Sequence, residues 1–143
     1  VLNPAPASEL SSRLLGSLFA ITPNETEAEK ISGIRITDEA SAEYAARRIA
    51  SMGVRNVIVT LGVRGALVFD GEHCERIPAY EMQAVDTTAA GDIFNGAFVV
   101  ALSEGRSLPE AVRFACKASA ISVTRVGAQS SAPYRTEVDI FNR

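Results

Sequence analysis

Residues 85–98 read VDTTAAGDIFNGAF. Asp86 to Asp92 are small, polar and turn-prone, whereas Phe94, Ala97, Phe98, Ala101 and Leu102 recur at the spacing of one helical face. The pattern predicts a loop of small residues running straight into a helix N-terminus, with the carboxylate of Asp92 in the first turn. Unpaired backbone N–H groups and the positive end of the helix dipole meet at such a junction, which suits a bound anion. Ala89, Ala90 and Gly91 let that anion come close to the backbone, and Asp92 stands beside it as a proton acceptor. This is the arrangement that phosphoryl transfer requires. A plainer reading has Asp92 placed by the dipole alone and Asp86 capping a turn. The loop by itself fits both.

Upstream of this junction, Val1 and Leu2 read as the end of a strand, and Asn3-Pro4-Ala5-Pro6 as a loop. Ser8 is the expected N-cap of a helix with Leu10, Leu14, Leu15 and Leu18 on one face. Phe19–Ile21 reads as a short buried strand. Thr22-Pro23-Asn24-Glu25 turns into a second helix, with Ala28 and Ile31 inward, that stops at Gly33. A third helix opens at Asp38 and Glu39 and closes at Arg47 and Arg48, charges that match its dipole. Val54–Leu61 is rich in β-branched residues and reads as a strand, and Ala66–Phe69 returns beside it. Asp70-Gly71 signals a hairpin into Cys74–Ile77.

Downstream, Ser107 and Glu110 form a capping box for a helix with Ala111, Phe114, Ala115 and Ala118 inward. Tyr134–Phe141 is expected as a final short helix. Strands alternate with helices, so the class is α/β, with a mainly parallel sheet and helices on both faces. No GxxxxGK[ST] and no GxGxxG is present, which removes the main support for a Walker-type NTPase or a dinucleotide fold.

The 143 residues suffice for one domain with a real core, and 47% hydrophobic with 22% charged residues is the balance of a globular protein. A net charge of −3 without a basic run gives no electrostatic case for nucleic acid or an anionic membrane as partner. No apolar stretch approaches membrane-spanning length and no signal peptide is evident, so a cytoplasmic setting is expected. Cys74 and Cys116 lack metal-ligand spacing and read as free thiols of a reducing compartment.

DTTAAGD followed by FNGAF resembles the C-terminal signature of the ribokinase-like (PfkB) carbohydrate kinases. VLNPAPA, ITPNETEAE, VTLGVRGALV, QAVDTTAAGD and VTRVGAQSS fall in that family's order across nearly the whole chain. The resemblance implies a three-layer αβα ribokinase-like fold, of which residues 1–143 are the C-terminal, nucleotide-binding part. The N-terminal half, the lid and most of the sugar site would lie outside the chain. It further implies ATP-dependent phosphorylation of a sugar, with ribose the expected acceptor, Mg²⁺ and K⁺ as cofactors, and a homodimer for the full-length protein. Another sugar, or a nucleoside, is the alternative acceptor. A non-catalytic nucleotide-binding fragment is the alternative for the chain as it stands, and the piece alone is expected to be inactive.

Residue by residue, the resemblance makes Asp92 the base that meets the sugar hydroxyl, with the amides of Ala89, Ala90, Gly91 and Asp92 as the anion hole. Asn24 would approach the ATP, and Glu27 would act on Mg²⁺ through water; as N-x-x-E they are equally a capping box. Thr60, Leu61, Gly62, Val63, Arg64 and Gly65 would form a loop along the nucleotide, although a strand–turn–strand connection explains both glycines. Asp86, Thr88, Ser122, Arg125 (through its carbonyl), Gly127 and Ser131 match the monovalent-cation site, and hard oxygen donors suit such an ion. Without the resemblance, Asp86 reads as a cap and GAQSS as plain loop. Cys116 stands beside the adenine where many members carry His, and Ala89 stands where the motif more often has Gly. His73 is expected to be exposed and uninvolved, and Phe94, Phe98 and Phe114 to be core.

Overall fold

The structure, a computed structural model, describes residues 1–141. The chain divides into two compact units, the first comprising 1–62 with 66–76 and the second 63–65 with the residues from Ile77 onward.

In the first unit, α1 (Ser12–Ser17) and β1 (Ala20–Ile21) precede α2 (Glu25–Ser32) and α3 (Glu39–Ala50). β2 (Asn56–Thr60) and β3 (Ala66–Phe69) follow, and β4 (Cys74–Ile77) carries the chain into the second unit. The sheet order is β1-β2-β3-β4. β1 runs parallel to β2, pairing Ala20 with Asn56 and Ile21 with Val57. Leu2 and Asn24 extend that parallel pattern through single bridges to Ile21 and Thr60. β3 returns antiparallel, from Val57↔Phe69 to Thr60↔Ala66. The sheet is therefore mixed, where the sequence pattern suggested mainly parallel pairing. The connection between β2 and β3 is too short for a crossover helix, and a connection that short joins only antiparallel neighbours.

Val57, Val59, Leu67 and Phe69 bury their side chains with Leu15, Ile21, Ala28, Ala42, Ala45, Ala46 and Ile49 in one core cluster. The apolar runs of β2 and β3 are buried along nearly their whole length, as the lack of alternation requires. Local signals hold the helices in place. Asn24 Oδ1 accepts the Glu27 amide while Glu27 Oε2 accepts the Asn24 amide, a complete capping box, and Gly33 ends α2 in the left-handed conformation. Asp38 caps α3 through the Ser41 amide, and Arg47 answers Glu43 one turn earlier. At the hairpin, Asp70 Oδ1 accepts the amides of Glu72 and His73. His73 is exposed there, as expected.

Several boundaries differ from the sequence reading. The N-cap of the first helix is Ser11, whose hydroxyl accepts the Leu14 amide, and not Ser8. Both serines are competent caps, and the later one wins, so the helix is a turn shorter and Leu14 is 40% exposed. Leu10 packs against the core from outside the helix. β1 loses Phe19, which is exposed, and β2 is shorter at both ends than Val54–Leu61. The final helix contracts to Arg135–Asp139.

In the second unit, α4 (Ala90–Ser103) and α5 (Leu108–Ser122) pack against each other, and α6 (Arg135–Asp139) packs on α5. Phe94 and Phe98 stack with ring centroids 6.3 Å apart and are buried together with Ala101, Ala111, Phe114, Ala115 and Ala118. The turn between α4 and α5 closes at Gly105, and Glu110 Oε2 then accepts the Ser107 amide at 2.9 Å in the expected capping box. Arg106 and Arg135 lie over the ring of Phe114, at 4.4 and 5.2 Å. No helix among the described residues is long and apolar enough to cross a membrane.

Candidate functional site

The loop before α4 is folded by its own small residues. The Val85 and Asp86 amides both donate to the carbonyl of Val123 at the end of α5, at 2.7 and 3.1 Å. Asp86 then uses both carboxylate oxygens. Oδ1 accepts the Thr88 amide and Oδ2 the Gly127 amide, each at 2.9 Å, so one side chain ties the loop to a segment 41 residues away. The Thr88 hydroxyl and the amides of Gly127 and Thr88, in that order, hold the Asp86 carboxyl down at about 2, below its ordinary 3.8. The capping role and the cation-ligand role of Asp86 are compatible, because a carboxylate offers about four lone-pair sites.

The sign of this shift fixes a prediction. A carboxyl whose folded value is depressed adds stability above its unfolded value and loses it as the pH falls through the folded one. Urea midpoints of the native chain and of Asp86→Asn are therefore expected to differ by a constant amount above about pH 5. The gap should shrink between 3.8 and about 2 and vanish below that. A gap that persists unchanged to acid would show that Asp86 acts other than through its charge.

At the mouth of α4, Ala89 adopts φ +60° and ψ +10°, the only non-glycine residue at positive φ among those described. This left-handed step lets the Ala90 amide donate back to the Thr87 carbonyl at 3.2 Å. Of the amides expected in the anion hole, that of Ala90 is thus turned into the loop. Among the described residues no hydrogen bond occupies the amides of Ala89, Gly91 and Asp92. A Cβ on Gly91 would meet nothing within 4 Å, so the space beside that residue is open. Asp92 is exposed beside them. Behind them, the Ser119 hydroxyl of α5 donates to the Ala90 carbonyl at 3.2 Å, and Asn95 Nδ2 to the Gly91 carbonyl at 2.8 Å.

Left-handed backbone costs a residue with a Cβ about 1–2 kcal/mol. Glycine at that position removes this strain but loses about 0.4–1 kcal/mol through the freer unfolded chain. In urea unfolding, Ala89→Gly is accordingly expected to leave the stability unchanged or to raise it by up to about 1.6 kcal/mol, while Ala97→Gly within α4 lowers it by about 1 kcal/mol. Equal losses at both positions would deny the strain.

The residues expected to ligate a monovalent cation converge only in part. Asp86 meets Thr88 and Gly127, and the Arg125 amide donates to the Ser122 carbonyl at 3.0 Å. Ser122 and Ser131 are buried, and their hydroxyls donate to the carbonyls of Ser119 and Ala128, which leaves their oxygen lone pairs available. The guanidinium of Arg125 points to Glu137, leaving only its carbonyl as a candidate ligand. An ionised carboxylate with hydroxyl and carbonyl oxygens fits a hard cation.

The second unit also holds a cavity of about 600 Å³ lined by Ile77, Pro78, Ala79, Tyr80, Glu81 and Arg113. Cys116 lies one helical turn beyond Arg113 on α5 and is buried, which pushes its thiol up to about 12. The Tyr80 phenol is pushed up, chiefly by burial. Sequence reasoning missed the segment from Pro78 to Glu81, which carries neither periodicity nor motif.

In the glycine loop, Gly62 takes φ +56° with nothing within 4 Å of a Cβ, so it is open to a ligand. Gly65 is not. Its Cβ would lie 2.0 Å from the Ile77 carbonyl oxygen and 2.6 Å from the Ala79 nitrogen, so the close approach that this glycine permits is made by the chain itself. Val63 is 95% exposed and Thr60 half-buried at the end of β2, while Leu61 is buried. In the first unit Glu27 is buried and Asn24 exposed, their side chains engaged with each other's amides. Glu27 keeps a second carboxylate oxygen, compatible with a hydrated ion, and Asn24 keeps its Nδ2 amide, a donor compatible with a phosphate.

Comparison with known proteins agrees with this geometry. The family model described as "pfkB family carbohydrate kinase" matches residues 1–135. A ribokinase of Haemophilus influenzae is 52% identical over 137 residues, 96% of this chain and 45% of the relative. The crystal structure of Thermotoga maritima ribokinase superposes with a TM-score of 0.86 at 46% identity, covering 96% of this chain and 46% of that one. Arabidopsis thaliana ribokinase, solved with ribose and ATP, gives 0.84 at 37% identity over 89% of this chain and 41% of that one. The chain thus spans less than half the length of these relatives, and its α/β fold is that of the ribokinase-like αβα kinases. With its family signature ending in the open amides of α4, this chain belongs to the pfkB family of carbohydrate kinases.

Proposed function

We propose that this chain is the C-terminal, nucleotide-binding part of an ATP-dependent sugar kinase that converts ribose and ATP to ribose 5-phosphate and ADP. The observation that carries this reading is the exposed Asp92 carboxylate beside amides with no partner of their own. The amides of Ala89, Gly91 and Asp92 accept the charge on the transferring phosphoryl group. Asp92 takes the proton of the sugar's primary hydroxyl as its oxygen bonds the γ-phosphorus and the bond to the departing ADP oxygen breaks. In a loose transition state such a base chiefly orients the alcohol. Fixed donors of this kind are worth about 3 kcal/mol each in other enzymes, because they need no reorganisation as charge develops.

Asn24 and Glu27 hold nucleotide phosphates and hydrated Mg²⁺, an ion that keeps most of its waters and would offset phosphate charge. Asp86, with the oxygens of Thr88, Ser122, Arg125, Gly127 and Ser131, holds K⁺, whose place would fix the loop that presents the amides. The cavity lined by Tyr80, Glu81 and Arg113, one helical turn before Cys116 on α5, has the volume of a small-molecule site and receives the adenine. Thr60 to Arg64 run along the nucleotide. The free thiols suit a cytoplasmic protein, and the full-length kinase is a homodimer by resemblance to its family.

The test is turnover by a kinase of full family length carrying this sequence, assayed with ATP, Mg²⁺ and K⁺ against a panel of sugars and nucleosides. Ribose is expected to be the preferred acceptor. Phosphorylation of another sugar alone would reassign the substrate, and no turnover with any acceptor would overturn the reading.

A further inference from the structure

The carboxylate of Glu137, on α6, does two jobs. Its Oε2 accepts the Tyr134 amide at 2.7 Å and so caps its own helix, and both oxygens take the guanidinium of Arg125 in a two-pronged ion pair. Arg125 begins the segment whose next amide but one, that of Gly127, donates to Asp86 Oδ2 at 2.9 Å. Asp86 in turn holds the Thr88 amide at 2.9 Å, one residue before the left-handed Ala89 and the open amides of α4. Gly127 makes this bond at φ +98°, a backbone conformation that residues with a Cβ rarely adopt. The same segment is also held by the amide of Arg125 to Ser122, by those of Val85 and Asp86 to Val123, and by the hydroxyls of Thr124 and Ser130 to the carbonyls of Ile121 and Val126.

We infer that Glu137 is a positioning residue: by gripping Arg125 it holds the turn in which Gly127 meets Asp86, and through Asp86 it sets the loop that presents the α4 amides. The ion pair is about a third exposed on both sides. A pair of that exposure contributes little to global stability, so its worth lies in restricting one turn. The inference deepens the kinase reading in one respect only, the consequence for nucleotide binding.

Glu137→Gln separates the two jobs, since glutamine at this position still accepts the Tyr134 amide but brings no charge to Arg125. In the chain itself, hydrogen exchange at the Thr88 and Gly127 amides is expected to quicken about fivefold in Glu137→Gln, with interior α4 amides and the thermal midpoint unchanged within about 2 °C. The double replacement Arg125→Glu with Glu137→Arg should restore slow exchange. In the kinase of full family length, the same variant should raise the KM for ATP about fivefold and leave the KM for the sugar within about twofold. Unchanged exchange at Thr88 and Gly127 would overturn the inference whether or not the protein is a kinase. Quickened exchange with an unmoved ATP KM would overturn the link to the nucleotide. A kinase inactive even with Glu137 intact would count against the proposed function, and the exchange result would then decide the tether alone.

Discussion

Asp92→Asn in a kinase of full family length is expected to lower kcat by about 10²–10⁴-fold, the range that a positioned general base contributes. Asparagine keeps the size and the helix-compatible geometry of the side chain but cannot take up a proton at neutral pH. The carboxylate is exposed, in the first turn of α4, and nothing in the core rests on it. The thermal midpoint should therefore stay within about 2 °C of the native value, apart from the few tenths of a kcal/mol that a negative charge contributes at a helix N-terminus. Because Asp92 acts on the alcohol as it becomes a nucleophile, the loss belongs in kcat and kcat/KM together, with the KM for ATP little changed. An Asn variant that retains native kcat would remove Asp92 from the chemistry.

Gly65→Ala is expected to cost about 2–5 kcal/mol of stability, the sum of left-handed strain and of backbone displaced by the new methyl. The two contributions arise from separate facts. Gly65 has φ +92°, and its Cβ would sit 2.0 Å from the carbonyl oxygen of Ile77. A carbonyl in a backbone segment cannot swing aside as a flexible side chain does. Gly62→Ala is the control, because φ there is +56° but no atom lies within 4 Å. That variant should lose at most about 1.6 kcal/mol, the left-handed strain less the entropy its unfolded chain forfeits. Urea unfolding of both variants of the chain checks the pair. Equal losses would mean that the backbone near Ile77 moves freely.

What could be read from the residues alone is what depends on neighbours in the chain. The capping boxes at Asn24–Glu27 and Ser107–Glu110 and the inward stripe of α5 rest on spacings of three or four residues, and the structure reproduces them. Ser8 and Ser11 carry the same chemistry three residues apart, so sequence could not choose between two good caps. The return of Ala66–Phe69 beside β2 was legible from the shortness of one connection, and the structure makes that pairing antiparallel. The site divides in the same way. The loop-to-helix junction at Gly91 is local and was legible, whereas the left-handed Ala89, which turns the Ala90 amide inward, is a conformation that an alanine does not announce. Asp86 and Gly127 are 41 residues apart, and only the family resemblance joined them before the structure did. The cavity at Tyr80, Glu81 and Arg113 had no signal, because its walls come from an unpatterned segment and one helix face.

The central claim is that the amides at the start of α4 hold phosphate. Backbone ¹H–¹⁵N spectra of the protein, titrated with an ATP analogue that resists hydrolysis and with Mg²⁺, read those amides directly. The expected result is saturable downfield movement of the Gly91 and Asp92 amide protons, with the Ala90 amide, already bonded to Thr87, moving less, and no such movement with adenosine alone. Amides of Gly91 and Asp92 that stay in place while the nucleotide binds elsewhere would contradict it.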